Sequence, residues 1–269
     1  MSAEDILSQP QPPPDERVAY GADPNQFLEV RLPRTKGPHS VLLNIHGGYW
    51  RAKYDLAHAG HLCEALRAAG VATVNIEYRR VGNAGGGWPG TFEDIRSAYR
   101  FVQQEHTRFH LDLDRLVVMG HSAGGQLALC LAAHELSLRR AISLAGVVDL
   151  KKAFALHLSN DAVAEFLGGK PEAVPEHYRE ADPMELSIPH RQWLLHGSED
   201  DTVPPEFSRD YVKQKKRTGE SAELLEIPHV GHFDLIDPGS EAFKQVASTV
   251  LTAAGSSESG IQPRRGEAA

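Results

Sequence analysis

The run Leu116-Val117-Val118-Met119-Gly120-His121-Ser122-Ala123-Gly124-Gly125 leads from an apolar strand into an Ala/Leu-rich helix through a serine with a glycine two residues to either side. A strand that turns sharply into a helix crowds its own backbone. Glycines at 120 and 124 relieve that crowding and let the serine project outward. The pattern is the G-x-S-x-G nucleophile elbow in strand, turn and helix context, which makes Ser122 a candidate nucleophile. Side chains adjacent on such a turn point apart, so His121 is expected to pack beneath it.

Outward from this elbow, short runs rich in β-branched residues (41–45, 71–76, 116–119, 141–144, 193–195 and 224–227) alternate with helical patterns. Residues 27–32 and 17–20 read as earlier strands of an antiparallel edge. The alternation predicts an α/β fold with a mostly parallel sheet of about eight strands and helices on both faces. One domain over 17–253 is expected, between a disordered N-terminal tail at 1–16, carrying the Pro12-Pro13-Pro14 run, and a flexible Gly/Ser/Glu/Arg-rich tail at 254–269. Residues 151–184 break the rhythm with short helical pieces at 161–167 and 175–180, which suit either a small lid or an irregular crossover.

The chain has 269 residues, 41% of them hydrophobic, enough for one large core. Its net charge is −8, and its basic residues form no stripe; the cluster from Lys213 to Arg217 is expected on the solvated face of a helix. Nucleic-acid binding is therefore excluded. The start, Met1 to Asp5, is acidic, and no apolar run approaches the roughly 18 residues of a membrane span, so a soluble, cytoplasmic protein is expected. Cys63 and Cys130 fall on apolar helical stripes as buried thiols, no Cys/His spacing suits zinc, and neither metal nor cofactor is expected. Oligomeric state is left open.

A serine hydroxyl is a weak nucleophile at neutral pH and needs a base to take its proton and an acid to hold that base in one tautomer. After the run 193–195 comes His196-Gly197-Ser198-Glu199-Asp200-Asp201-Thr202-Val203-Pro204, with three carboxylates on one loop. The H-G-x-x-D-x-x-V-P pattern favours Asp200 as the acid, ahead of Asp201 and then Glu199; the others suit helix capping. After 224–227 comes Pro228-His229-Val230-Gly231-His232-Phe233-Asp234, where Gly231 permits a tight turn and favours His232 as the base. His229 is expected to cap or pack. The order Ser, Asp, His is the order that α/β chemistry of this kind uses. Charge developing on a carbonyl oxygen needs backbone donors, and 41–45 ends in His46-Gly47-Gly48-Tyr49-Trp50. One donor is expected from Gly47 or Gly48 and a second from Ala123.

Taken together, the His46 to Trp50 motif, the Gly120 to Gly125 elbow, Asp200 and His232 resemble the α/β-hydrolase superfamily over about residues 27–253. The His-Gly-Gly-x-Trp motif is similar to that of kynurenine formamidases (arylformamidases) and their small esterase relatives; Glu77-Tyr78-Arg79 and Trp88-Pro89, ahead of a helix, are also similar to that group. The resemblance implies hydrolysis of a small acyl or formyl group, often next to an aromatic ring, with Glu77 to Arg79 and Trp88 supporting the oxyanion loop and site wall. Trp50 then either lines the pocket or props the oxyanion loop. Tyr49, Trp88, Val148 and Phe233 are further pocket candidates.

These observations lead to a serine hydrolase acting on a small carboxylic ester or aryl formamide. A peptidase or acylaminoacyl hydrolase is the nearest rival, although such enzymes usually carry a further large domain. An interfacial lipase would want an apolar lid, which the charged segment 151–184 does not offer. A non-catalytic ligand-binding protein of the same fold would commonly have lost one of Ser122, Asp200 or His232.

Overall fold

A computed structural model describes residues 3–255. Its sheet is built from β1 (Glu16–Ala19), β2 (Phe27–Arg31), β3 (His39–Ile45), β4 (Ala72–Ile76), β5 (Leu111–His121), β6 (Arg140–Leu144), β7 (Arg191–Gly197) and β8 (Ala222–Ile227). The spatial order is β1-β2-β4-β3-β5-β6-β7-β8. β1 and β2 run antiparallel at one edge, and every pairing from β4 to β8 is parallel. Parallel strands are covered on both faces, and the pleat divides their side chains accordingly. Val41, Leu43 and Ile45 of β3 and Val118 of β5 enter one apolar layer, whereas Leu42, Val117 and Met119 enter the other.

The helices α1 (Gly60–Ala68), α2 (Gly90–Glu105) and α3 (Ala123–His134) connect β3 through β6, and α7 (Glu206–Arg217) and α8 (Phe243–Ala253) follow β7 and β8. α1 and α8 close one face through Leu62, Leu66, Val246 and Val250. α2, α3 and α7 close the other through Ile95, Leu127 and Phe207. Between β6 and β7 lie three short helices, α4 (Leu150–Ala155), α5 (Ala162–Leu167) and α6 (Pro175–Ala181), in place of one crossover helix. Lys215, expected on a solvated face, is buried instead, and its ammonium donates to the Leu186 carbonyl and pairs with Glu220 at 3.5 Å.

Residues 3–16, expected as a tail, lie against the domain. Ala3–Ser8 form a 3-10 turn that seats Ile6 among Leu235 and Ile236. A proline-rich segment cannot join a helix or central strand, but it can lie extended and take donors from its neighbours. Here the Arg31 guanidinium donates to the Pro12 carbonyl at 2.8 Å, and the Asp15 amide to the Val30 carbonyl at 2.9 Å. Of the expected C-terminal tail, residues 254 and 255 close α8, and 256–269 lie outside the described residues.

The strand order sets the place of the site. From β3 the chain moves outward to β4 and then crosses back over β3 to β5, so the loops leaving β3 and β5 diverge. A crevice opens at the carboxyl ends of parallel strands where order reverses in this way. His46 to Trp50 leave β3 at that point, and Ser122 leaves β5 there.

Candidate active site

Ser122 has φ 56° and ψ −122°, outside the regions an L-residue favours, at a cost of order 1–3 kcal/mol. The turn is held by backbone bonds on both sides: the Ser122 amide donates to Leu144 at 2.8 Å, and its carbonyl accepts from Gly125 at 2.9 Å and Val147 at 3.3 Å. The flanking glycines are required sterically. A Cβ on Gly120 would lie 2.0 Å from the Gly124 carbonyl oxygen, and one on Gly124 would lie 2.1 Å from that of Ile45. The hydroxyl makes no cap bond to α3, the helix whose positive dipole end begins at the next residue.

Asp200 and His232 meet on adjacent loops. The loops are laced by Ser198 to Ile227 at 2.9 Å and Glu199 to Val230 at 3.0 Å, and the Gly231 amide donates to Asp234 at 2.7 Å. His232 Nδ1 donates to Asp200 Oδ2 at 2.7 Å, which leaves Nε2 free to accept a proton. The same oxygen faces His196 Nε2 at 3.2 Å, and Oδ1 accepts from the Thr202 and Val203 amides at 2.9 and 2.8 Å. Burial by itself would raise the Asp200 pKa. The hydrogen bonds from His196 and His232 outweigh it and hold the carboxyl well below the usual carboxylate range. Asp201 stays exposed, while Glu199 pairs with His229 at 2.8 Å on the surface, so His229 neither caps nor packs.

The Asp200 shift carries a stability consequence. The folded form binds fewer protons there than the unfolded chain, so the stabilisation is complete above the ordinary carboxylate range and is lost as pH falls through and below it. Thermal melts of wild type and Asp200→Asn between about pH 6 and about pH 3 are expected to show the smaller loss of Tm in the variant. Equal losses would remove Asp200 from the acid-labile groups.

The loop after β3 is strained and heavily braced. Gly48, Tyr49 and Trp50 have φ of 106°, 49° and 56°. A Cβ on Gly47 would lie 3.1 Å from the Ser122 Cβ and 2.9 Å from the His121 carbonyl, so this backbone runs directly against the elbow. Beneath it, Tyr78 stacks on the His46 ring at 4.4 Å and donates its hydroxyl to the His46 carbonyl at 2.8 Å. Glu77 ties together the His46 ring at 3.2 Å, the Leu56 amide at 2.9 Å and Arg80 at 3.0 Å. Burial opposes the Glu77 charge, but His46 and Arg80 outweigh it and keep the carboxyl below its ordinary range.

The BD-FAE family profile matches residues 28–214, more than half of the chain, and takes in the loop after β3, the elbow and Asp200. The chain belongs to the BD-FAE family. Esterase LipC of Mycobacterium tuberculosis is 28% identical to it over 244 residues, 82% of this chain and 60% of that protein. A probable isoprenylcysteine alpha-carbonyl methylesterase of Arabidopsis thaliana, ICMEL1, is 23% identical over 270 residues, 87% of this chain and 55% of that protein. The chain thus spans 55 to 60% of the length of these two curated relatives. Among solved structures, a truncated carbohydrate esterase from gut microbiota superposes with a TM-score of 0.77 at 21% identity, covering 89% of this chain and 95% of that one. Esterase B from Lactobacillus rhamnosis superposes with a TM-score of 0.76 at 18% identity, covering 94% and 91%. The architecture is the α/β-hydrolase fold.

In this BD-FAE chain the five expected pocket residues divide. Trp50 is fully buried: its indole stacks on Phe166 at 4.6 Å and 7°, and Nε1 donates to Gln126 Oε1 at 3.0 Å. These are the contacts of a prop. Val148 is also wholly buried, in the apolar layer that holds α3. Tyr49, Trp88 and Phe233 are partly exposed, and the Tyr49 hydroxyl donates to the Thr202 carbonyl at 3.0 Å, joining the loop after β3 to the acid loop. Trp50→Phe is expected to cost about 1–3 kcal/mol in urea unfolding, because Gln126 Oε1 would be buried without its donor. No measurable loss would mean that the amide finds another.

Gln126, Phe166 and His196 escaped the sequence reading as site residues. Gln126 did leave a signal, since it is the one amide in the apolar run 123–134, and such a residue in a buried helix calls for polar partners. Its amide group donates to the Ala181 carbonyl at 2.8 Å, so Gln126 links Trp50 to α6. Phe166 reaches Trp50 from more than a hundred residues away, with its carbonyl accepting from the Trp88 amide at 2.7 Å. Arg51 fixes the same segment from the other side, through Glu165 at 2.8 Å, Ser159 at 3.0 Å and the Asn160 carbonyl at 3.2 Å. No metal-holding cluster of His, Cys, Asp and Glu occurs among the described residues, and no helix there is long and apolar enough to cross a membrane.

Proposed function

We propose that this chain is a serine hydrolase of small carboxylic esters. The observation that carries the reading is the 2.7 Å bond from His232 Nδ1 to Asp200, on a loop tied to the strained serine elbow by the 3.0 Å bond between His121 Nε2 and the His232 carbonyl. In this reading Ser122 attacks the acyl carbon as His232 Nε2 takes the hydroxyl proton. The carbonyl π electrons move to oxygen, where the Ala123 amide and that of Gly47 or Gly48 stabilise the charge. On collapse, His232 returns the proton to the leaving alcohol, and an acyl-Ser122 ester remains. Water, deprotonated by His232, repeats the sequence and releases the acid. Asp200 stays ionised throughout and compensates the imidazolium.

The substrate class is supported by the relatives, several of which bear esterase names. An aryl formamide would pass through the same steps with formyl as the acyl group, and the His46-Gly47-Gly48-Tyr49-Trp50 motif supports keeping it as the finer alternative. Segment 151–184 then serves as a small cap, braced by Arg51 on one side and Trp88 on the other. The test is a panel on purified protein: p-nitrophenyl acetate, butyrate and octanoate, an acetylated sugar, a feruloyl ester and N-formylkynurenine. Turnover of the short esters is expected. An inert panel would end the hydrolase reading, and turnover of the formamide in preference to the esters would move the assignment to arylformamidase.

A further inference from the structure

His58 belongs to no motif, yet it lies under the proposed base. It sits in the 3-10 turn Leu56–Ala59, and its Nε2 is 2.9 Å from His121 Nδ1; His121 Nε2 is in turn 3.0 Å from the His232 carbonyl oxygen. The hydrogens in this chain can be assigned from its far end. A carbonyl only accepts, so His121 Nε2 carries a hydrogen and donates it. Burial, and then the neighbouring His232 and His58, push the His121 pKa well down; burial, then His46 and His232, push that of His58 down to about 3. Both rings are therefore neutral and carry one hydrogen each. His121 Nδ1 is then a bare acceptor, His58 Nε2 is the donor to it, and His58 Nδ1 keeps a lone pair. That last atom is buried without a hydrogen-bond partner, where an N–H would be an unsatisfied donor.

The packing agrees with a bracing role. The His121 ring lies 4.5 Å from that of His232 and 5.1 Å from that of His58, and Phe233 lies 6.3 Å or less from all three. The N-terminal turn Ala3–Ser8 rests against both the turn that carries His58 and the turn that follows His232. We propose that His58 and His121 are positioning residues: a chain of two imidazoles in fixed tautomers that holds the His232 backbone, and with it the ring, in register with Ser122. This rests on the reading of His232 as the base.

Leucine at either position keeps apolar volume and removes the hydrogen bonds, whereas glutamine keeps one donor and one acceptor. His121→Leu is expected to lower kcat on p-nitrophenyl acetate by about 100-fold and His58→Leu by about 10-fold, with KM nearly unchanged, as misplacement of a catalytic group by about 1 Å would produce. His58→Gln and His121→Gln are expected to recover most of the loss. A second readout is the downfield proton resonance of the His232–Asp200 hydrogen bond, which is expected to shift or broaden in the leucine variants and return in the glutamine ones. Folded leucine variants with wild-type kcat and an unmoved resonance would overturn the proposal, since a volume-filling role predicts that outcome. If His121→Leu fails to fold, His58→Leu, on a partly exposed turn, decides by the same two readouts. A wild type that turns over no ester overturns the hydrolase reading separately, and the resonance still decides whether the chain holds His232.

Discussion

Replacing Ser122 by alanine is expected to lower kcat by about 10⁶-fold while leaving the fold in place. The size of the effect follows from the chemistry: with the hydroxyl gone there is no acyl-enzyme, and the base, acid and oxyanion donors are left assisting water at best. The intact fold follows from the geometry. The Ser122 hydroxyl caps nothing, the strained turn is held by backbone bonds through Leu144, Gly125 and Val147, and alanine tolerates the positive φ no worse than serine does. The measurement is kcat on p-nitrophenyl acetate together with a thermal melt, and mass analysis after exposure to an alkyl phosphonate ester. Wild type is expected to gain one phosphonyl group on the peptide that contains Ser122, and the variant none. Turnover or labelling that survives the substitution would place the nucleophile elsewhere.

The second large effect is at Asp200. Asp200→Asn is expected to lower kcat by about 10⁴-fold, comparable to removing the tautomer-setting acid from other Ser-His-Asp sites. Here the environment makes the loss hard to escape. Both carboxylate oxygens are loaded with donors, His232 and His196 on Oδ2 and the Thr202 and Val203 amides on Oδ1. An asparagine has one acceptor oxygen. If that oxygen faces the backbone amides, the NH2 group faces His232 and forces the proton to Nε2, where it blocks attack on the serine hydrogen. If the oxygen faces His232, the NH2 group collides with two backbone N–H groups. The expected signature is a fall in kcat with a small change in KM, accompanied by loss of the His232 Nδ1–H resonance. A variant that retains kcat within about tenfold would show that Asp200 does not set the tautomer.

The parts of the site that are local in sequence were legible there. The elbow announces itself because the turn from β5 into α3 leaves no room for Cβ atoms at 120 and 124, a constraint contained within a few residues. The preference for Asp200 and His232 over their neighbours rested on the H-G-x-x-D-x-x-V-P pattern and on the glycine before His232, both contained within a few residues, and the fold brings these two side chains within 2.7 Å of each other. The alternating strand and helix pattern likewise follows from local hydrophobic periodicity, and it specified a mostly parallel sheet before any contact was known.

The bracing was not legible, because it depends on contacts between distant segments. Whether Trp50 lines a pocket or props a loop is decided by Phe166 and Gln126, and nothing near residue 50 encodes their approach. The N-terminal prolines forbid regular structure, which reads as disorder until Arg31 supplies a donor and Leu235 and Ile236 supply a seat for Ile6. His58 looks like any polar residue at the start of a helix until the fold carries His121 and the His232 carbonyl above it. By itself the sequence determined the elbow and the class of fold, and it singled out a candidate acid and base, because each is written in short-range sterics or periodicity. Tertiary structure decided which groups the histidines meet and what braces the loop after β3, because hydrogen-bond partners and burial come from the whole chain packed together.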